Sequence, residues 1–487
     1  MNHMLLAEAP ASAAPQEAGV AGEAKKVYFS LYADPASMPE QAQDFLREQI
    51  AVASRLPADL PASIHELPAW IEQRTDAVGA QYRDYLAARK AGAPRRYFHC
   101  RSHALYFIKG AAPTKLVDGA WLYGLLRQWD NQAYHHLIKT YLEELGEGVP
   151  DKNHVTIYRK LLATHGCEDW EQLDDEHFLQ GAIQLVLGHH ADRFLPEVIG
   201  YNLGYEQLPL HLLITSYELN ELGIDPYYFT LHVTVDNAAS GHARKAAQAL
   251  ADLMPRVGDR EAFYRRVLDG YRLNDLGAST ISVISEFDLQ AELVSILAAK
   301  SKVGKNMHSD YCRVAGRSVN DWLAEPGRIP DFLAALEKAG WIKRGEDPEN
   351  SRFWRLIHGE RAEMFGVFNA YEQQVLRDWI MSSPDAGAGR NMAAAPRVLT
   401  HRARQRTLDT LGQHAERGIA FPERGLIRRH PRLEEPDNEL RLLEQQVAAA
   451  SGKQEAMDLL AGLMSPEVHH TAAGLMATRM YTQLFDA

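Results

Sequence analysis

The residues with chemical potential concentrate in the stretch Tyr228 to Ala243, YFTLHVTVDNAASGHA, which places His232, Asp236 and His242 among apolar neighbours. His232 and Asp236 are four residues apart, so on a helix they point the same way, separated by about 40°. Phe229, Val233, Val235 and Ala239 surround the pair. An imidazole and a carboxylate held on an apolar face need a strong partner, and a metal ion suits both; a hydrogen bond between them or to another helix is the alternative that local sequence leaves open. His242 lies roughly 240° beyond Asp236 on an ideal helix, so it joins the other two only if the helix is distorted or unwinds near Gly241.

Further candidates lie upstream. Asp118 interrupts KLVDGAWLYGLLRQW, an otherwise apolar and aromatic pattern that reads as helical. Glu144 lies near the end of YHHLIKTYLEEL, and His154 comes ten residues later at the start of VTIYRKLLATHG. Spacing alone does not choose between Glu144 and its neighbour Glu143. Asp118, Glu144, His154, His232, Asp236 and His242 together offer three carboxylates and three imidazoles. Oxygen and nitrogen donors in that mixture suit iron or manganese, whereas a structural zinc site more often recruits thiolates. A set of this size can hold two ions bridged by a carboxylate.

These residues resemble the heme-oxygenase-like diiron oxidases and oxygenases, a group also described as iron-containing redox enzymes. In that family one helix supplies a glutamate, the next a glutamate with a histidine ten residues on, and a later helix His-x3-Asp-x2-His. Glu144 and His154 match the second element in type and spacing, and His232 and Asp236 match the start of the third. Tyr217 to Tyr228, YELNELGIDPYY, resembles the segment leading into the metal helix. The resemblance covers roughly residues 90 to 260. It departs at Asp118, one methylene shorter than the expected glutamate, and at Ala239, where the last histidine would stand, with His242 one turn later.

What the resemblance implies is a nonheme diiron oxidase or oxygenase that binds two iron ions, or manganese, takes dioxygen as co-substrate and oxidises a small molecule such as an amino acid, an amine or a fatty acid. An external electron donor fits that chemistry. Tyr201, Tyr205 and Arg244 are candidates for handling the substrate, and Glu197, Glu206 and Glu218 for lining its pocket. The alternative is a noncatalytic or single-metal helical binding or scaffold protein derived from the same fold.

The elements that must position these groups read as all-α. Residues 1–25 form a lead rich in Ala, Gly, Glu and Pro; Lys26 to Ala33 has an extended pattern; residues 26–300 otherwise read as a metal-binding helical bundle. Residues 301–381 read as a small, mainly helical domain with room for a short strand pair, and residues 382–487 as a linker followed by an amphipathic helical tail that allows a homodimer. The tail's His469 and His470 are expected on the surface, and His189 and His190 in an interhelical polar contact or on the surface.

Composition narrows the class. The 487 residues carry a formal charge of -12, which argues against nucleic acid as the main partner. Three cysteines, odd in number and widely spaced, do not make a disulfide framework. With no apolar run of about 20 residues and no signal-like start, the expectation is a cytoplasmic protein without a membrane partner.

Overall fold

Ala24, Val27, Tyr28 and Leu31 recur at the three- and four-residue spacing of a helix face, and all four are buried. The computed structural model accordingly places Glu23–Ala33 in helix α1, not in the extended conformation that Lys26 to Ala33 suggests. The structure describes residues 22–235, 241–383 and 438–487.

From α1 the chain continues through α2 (Pro39–Ala53), α3 (Leu67–Lys90), α4 (Arg101–Gly110), the short α5 (Ala112–Lys115), α6 (His135–Glu144), α7 (His154–His165), α8 (Leu179–His189), α9 (Leu195–Tyr205), α10 (Leu210–Glu221), α11 (Tyr227–Val235), α12 (His242–Leu253) and α13 (Arg260–Arg272). Then come α14 (Thr280–Ser285), α15 (Leu289–Gly304), a two-stranded antiparallel hairpin, β1 (Arg313–Val314) with β2 (Arg317–Ser318), and α16 (Val319–Leu323), α17 (Ile329–Lys338), α18 (Arg352–Ile357) and α19 (Ala370–Met381). The last described helices are α20 (Asn438–Ala449), α21 (Lys453–Gly462) and α22 (Ala472–Asp486). The fold is all-α, and among the described residues no helix is long and apolar enough to cross a membrane.

Two apolar clusters hold these helices. One joins α1, α2, α6, α8, α9, α12 and α13 to the C-terminal helices, through residues such as Trp121, Tyr141, Leu250, Leu460 and Tyr481. The other joins α4, α7, α10 and α11 to residues 283–380, through Phe107, Tyr158, Tyr228, Trp354 and Trp379. Leu116 belongs to the second cluster and Val117 to the first, so Asp118 follows directly on the seam between them.

The C-terminal segment packs on the bundle through more than apolar contact. Tyr141 donates its hydroxyl to the Met464 carbonyl at 2.6 Å, and Tyr481 donates to the Leu126 carbonyl at 2.7 Å. His469, expected on the surface, is 1% exposed. His189, expected in an interhelical contact or on the surface, instead meets Glu467 in the turn between α21 and α22, at 3.2 Å. Cys100, Cys167 and Cys312 are all free.

Candidate metal centre

Four of the donors sit where a helix begins or ends. Glu144 is the last residue of α6, His154 the first of α7, and His242 the first of α12; Glu206 caps the C-terminal end of α9. Only His232 lies within a helix, α11. Asp118 is not inside a helix, as its apolar surroundings suggested, but in a turn before the 3-10 stretch Ala120–Gln128. The next residue explains the turn. Gly119 adopts φ +82, and a Cβ there would lie 3.0 Å from Glu144 Cβ. Glycine thus brings the backbone beside Asp118 close to Glu144, which offsets the methylene that Asp118 lacks relative to a glutamate.

Asp118, Glu144, His154 and His232 offer ligand atoms within 4.8 Å of one another, and all four side chains are buried. Asp118 Oδ2 is 3.1 Å from His232 Nε2 and 3.6 Å from His154 Nδ1. Tyr228 donates to Oδ2 at 2.6 Å and Tyr205 to Oδ1 at 2.7 Å, fixing both carboxylate oxygens. Lys115 in turn donates to the Tyr205 hydroxyl at 2.7 Å. The His232 ring is oriented from behind: its Nδ1 donates to the Tyr228 carbonyl at 2.9 Å, which turns Nε2 toward Asp118.

Glu144, Glu206 and His242 form a second group within the same 4.8 Å limit, and Glu144 is common to both. Its Oε2 lies 2.5 Å from His154 Nδ1, and its Oε1 3.3 Å from His242 Nδ1. Glu206 Oε2 is 3.0 Å from the same His242 nitrogen. On the far side of the ring, His242 Nε2 contacts Glu143 Oε2 at 2.8 Å, and Lys245 pairs with that same oxygen. Glu143 and Glu144, indistinguishable by spacing, therefore do different things: Glu144 faces both groups, and Glu143 supports one histidine from behind.

The electrostatics oppose burial at every point. Burial alone would raise the Asp118 carboxyl, but Lys115 and the His154 and His232 imidazoles hold it well below the usual range. Burial acts the same way on Glu144, and the charge of His154 together with contacts from His154 and His242 prevails and lowers it. His154 moves in the complementary direction: burial favours its neutral form, while Glu144 and Asp118 raise it, so without a metal it carries a proton. Glu143 is lowered against burial by His242 and Lys245.

Other sequence candidates fall elsewhere. Asp236 and Ala239 lie outside the described residues. Tyr201 is buried one layer away, donating to Gln180 and packed on Trp121. Arg244 is brought to neither group; its side chain is 52% exposed and faces Glu72 at 4.0 Å. Glu197 forms a two-pronged pair with Arg266 that ties α9 to α13. Glu218 accepts the backbone N–H groups of Arg96, Tyr97 and Phe98, an anchor for the loop before α4. Glu206, considered as pocket lining, is the acid that the structure adds to the donor set.

The donors fit a metal. Glu144 Oε2 and His154 Nδ1 are close, yet neither makes a hydrogen bond of acceptable direction. That is the geometry of two donors facing a common point beside them. Three buried carboxylates crowding three imidazoles are a costly arrangement that a divalent cation offsets. Neither group includes a cysteine, and oxygen with imidazole nitrogen suits iron.

Comparison with known proteins agrees with this chemistry. Residues 105–275 match the model of a family described as iron-containing redox enzyme, and that span contains every donor of both groups. No curated protein and no solved structure matches the chain. The helical segment 105–275, with its buried acid and histidine cluster, belongs to the iron-containing redox enzyme family.

Proposed function

We propose that the chain is a nonheme diiron oxidase or oxygenase that uses dioxygen to oxidise a small organic molecule, such as an amino acid, an amine or a fatty acid. The observation that carries this reading is the divided carboxylate of Glu144, one oxygen toward His154 and the other toward His242. One side chain would then serve two ions. Asp118, His154 and His232 would complete one position, and Glu206 and His242 the other, with Asp236 as a further candidate ligand. When bound, the two ions supply the electrons and open positions that dioxygen activation requires; manganese suits the same donors.

The chain's own contribution is positioning. Tyr205 and Tyr228 hold both oxygens of Asp118, the Tyr228 carbonyl sets the His232 tautomer, and Glu143 with Lys245 orients His242. Trp121, Tyr158 and Phe229 are buried in the two apolar clusters that meet at Asp118, and such walls keep water from the centre. Where dioxygen is reduced fully to water and the substrate gives up only part of the electrons required, an external electron donor would supply the rest.

The test is anaerobic loading with ferrous iron, a count of iron per chain, and then oxygen consumption with matched amino acids, amines and fatty acids. The expected result is about two ions per chain and oxygen uptake that depends on one substrate class. A chain that takes up no iron overturns the proposal. One ion with no oxygen uptake makes the protein a single-metal binding module of the same fold.

A further inference from the structure

We infer that the C-terminal segment 438–487 is a working part of the metal centre, and that His469 within it is a positioning residue for His154. The inference rests on the metal-binding reading above. It concerns residues beyond the span matched to the family, which ends at residue 275.

The argument starts with the loop between two donors. Glu144 ends α6 and His154 begins α7, so their separation is set by the residues between them. That loop is strained: Gly146, Glu147 and Gly148 have φ values of 63, 51 and 77 in succession. A glutamate in the left-handed region costs free energy and persists only where the surroundings enforce it.

The C-terminal segment supplies much of that enforcement. At Gly148 an added Cβ would lie 2.3 Å from the Leu475 carbonyl oxygen, so the loop and α22 meet backbone to backbone. Arg479 donates to the Gly148 carbonyl at 3.2 Å, and Tyr141, one turn before Glu144, donates to the Met464 carbonyl.

The connection to His154 runs through Asn153, which is fully buried. Its Oδ1 accepts from the Thr156 N–H and caps α7, while its Nδ2 donates to the Leu145 carbonyl at 3.2 Å and meets His469 Nδ1 at 3.1 Å. An amide nitrogen only donates, so His469 Nδ1 must be the acceptor, and the ring is neutral with its proton on Nε2. Burial, which lowers His469 to about 3, keeps it in that form. His469 thus fixes the amide whose other end sets the start of α7, and His154 is the first residue of that helix.

The full-length chain carries the test. His469→Leu fills the space but cannot accept a hydrogen bond; His469→Gln can. Ferrous affinity is measured by anaerobic titration, and the visible spectrum of the cobalt-loaded protein reports ligand geometry. The expected result is a several-fold loss of affinity in His469→Leu, less than for a group bonded directly to a metal ligand because His469 acts through Asn153, with an altered cobalt spectrum. Both should return toward wild type in His469→Gln. Asn153→Ala should weaken binding alike, and the double variant no further. Should His469→Leu not fold, Tyr141→Phe, which removes one hydroxyl from the same seam, is expected to weaken iron binding several-fold. If the folded variants bind iron as wild type does, with an unchanged cobalt spectrum, the positioning role is wrong while the metal centre stands. If wild type binds no iron, the metal reading itself has failed.

Discussion

Glu144 is the side chain whose replacement separates a shared carboxylate from an ordinary one. The perturbation is Glu144→Gln, compared with Asp118→Asn and Glu206→Gln, each of which touches one donor group only. An ion present at 100 times its dissociation constant stabilises the native state by about 2.7 kcal/mol, so two ions contribute about 5 kcal/mol. Unfolding entropy near 2.1 cal/mol/K per residue gives about 1 kcal/mol/K for a chain of 487 residues. Each ion is therefore worth a rise in Tm of about 3 °C. The quantity to compare is the difference between iron-loaded and chelated protein within each variant, because Glu144→Gln also leaves the His154 imidazolium without its carboxylate and lowers the baseline. Calorimetry with metal analysis should give an increment of about 5–6 °C for wild type, about half that for Asp118→Asn and Glu206→Gln, and about none for Glu144→Gln. A Glu144→Gln protein that keeps one ion and half the increment refutes the shared carboxylate.

Other expectations follow from single contacts. Gly119→Ala should destabilise the chain by about 1–3 kcal/mol and lower its iron content, since φ +82 and Glu144 Cβ at 3.0 Å leave no room for a methyl group; denaturant unfolding and metal analysis check both. Lys245→Met should weaken one ion several-fold and spare the other, because Lys245 holds only the Glu143 carboxylate behind His242; an anaerobic titration would resolve two unequal steps. Burial depresses His103 to about 4 and His469 to about 3. A histidine depressed in the folded state leaves the unfolded chain holding the extra proton, so its stability contribution is full above about pH 6.5, falls by up to about 1.4 kcal/mol per pH unit below it, and levels off near pH 4 for His103 and near pH 3 for His469; acid titration of Tm should be shallower in His469→Gln than in wild type.

Much of this architecture is written in local pattern. The apolar spacing of α6, α8 and α12 marks helices because each turns one face to a core, and the Glu144 to His154 interval survives as the distance between a helix end and the next helix start. Asp118 reads as helical because the apolar residues around it bury in two different clusters, which mimics a continuous face. Glu206 reads as pocket lining in the sequence because its partner, His242, is 36 residues away, and no periodicity links a C-cap to a distant N-terminus. The burial of His469 was invisible for the same reason: what buries it, beside Asn153, is 316 residues earlier in the chain.

A signal for the centre nonetheless lies in how charge is assigned to helix ends. A helix favours acids in its first turn and bases in its last, each by about 0.3–1 kcal/mol, because its N-terminus carries partial positive charge and its C-terminus partial negative charge. Glu197 in the first turn of α9 and Arg272 in the last turn of α13 obey this rule. The centre inverts it. Glu144 and Glu206 stand at C-terminal ends, and His154 and His242 at N-terminal starts. For protons the inversion is costly, since the helix ends repel the carboxylates and disfavour the imidazolium. For a metal ion the same arrangement works: two negative helix ends face the cation with their carboxylates, and two positive ends keep the imidazoles neutral, which is the form that binds metal. Repeated breaches of the end rule, buried and converging, are therefore evidence for a cation at the place where those ends meet.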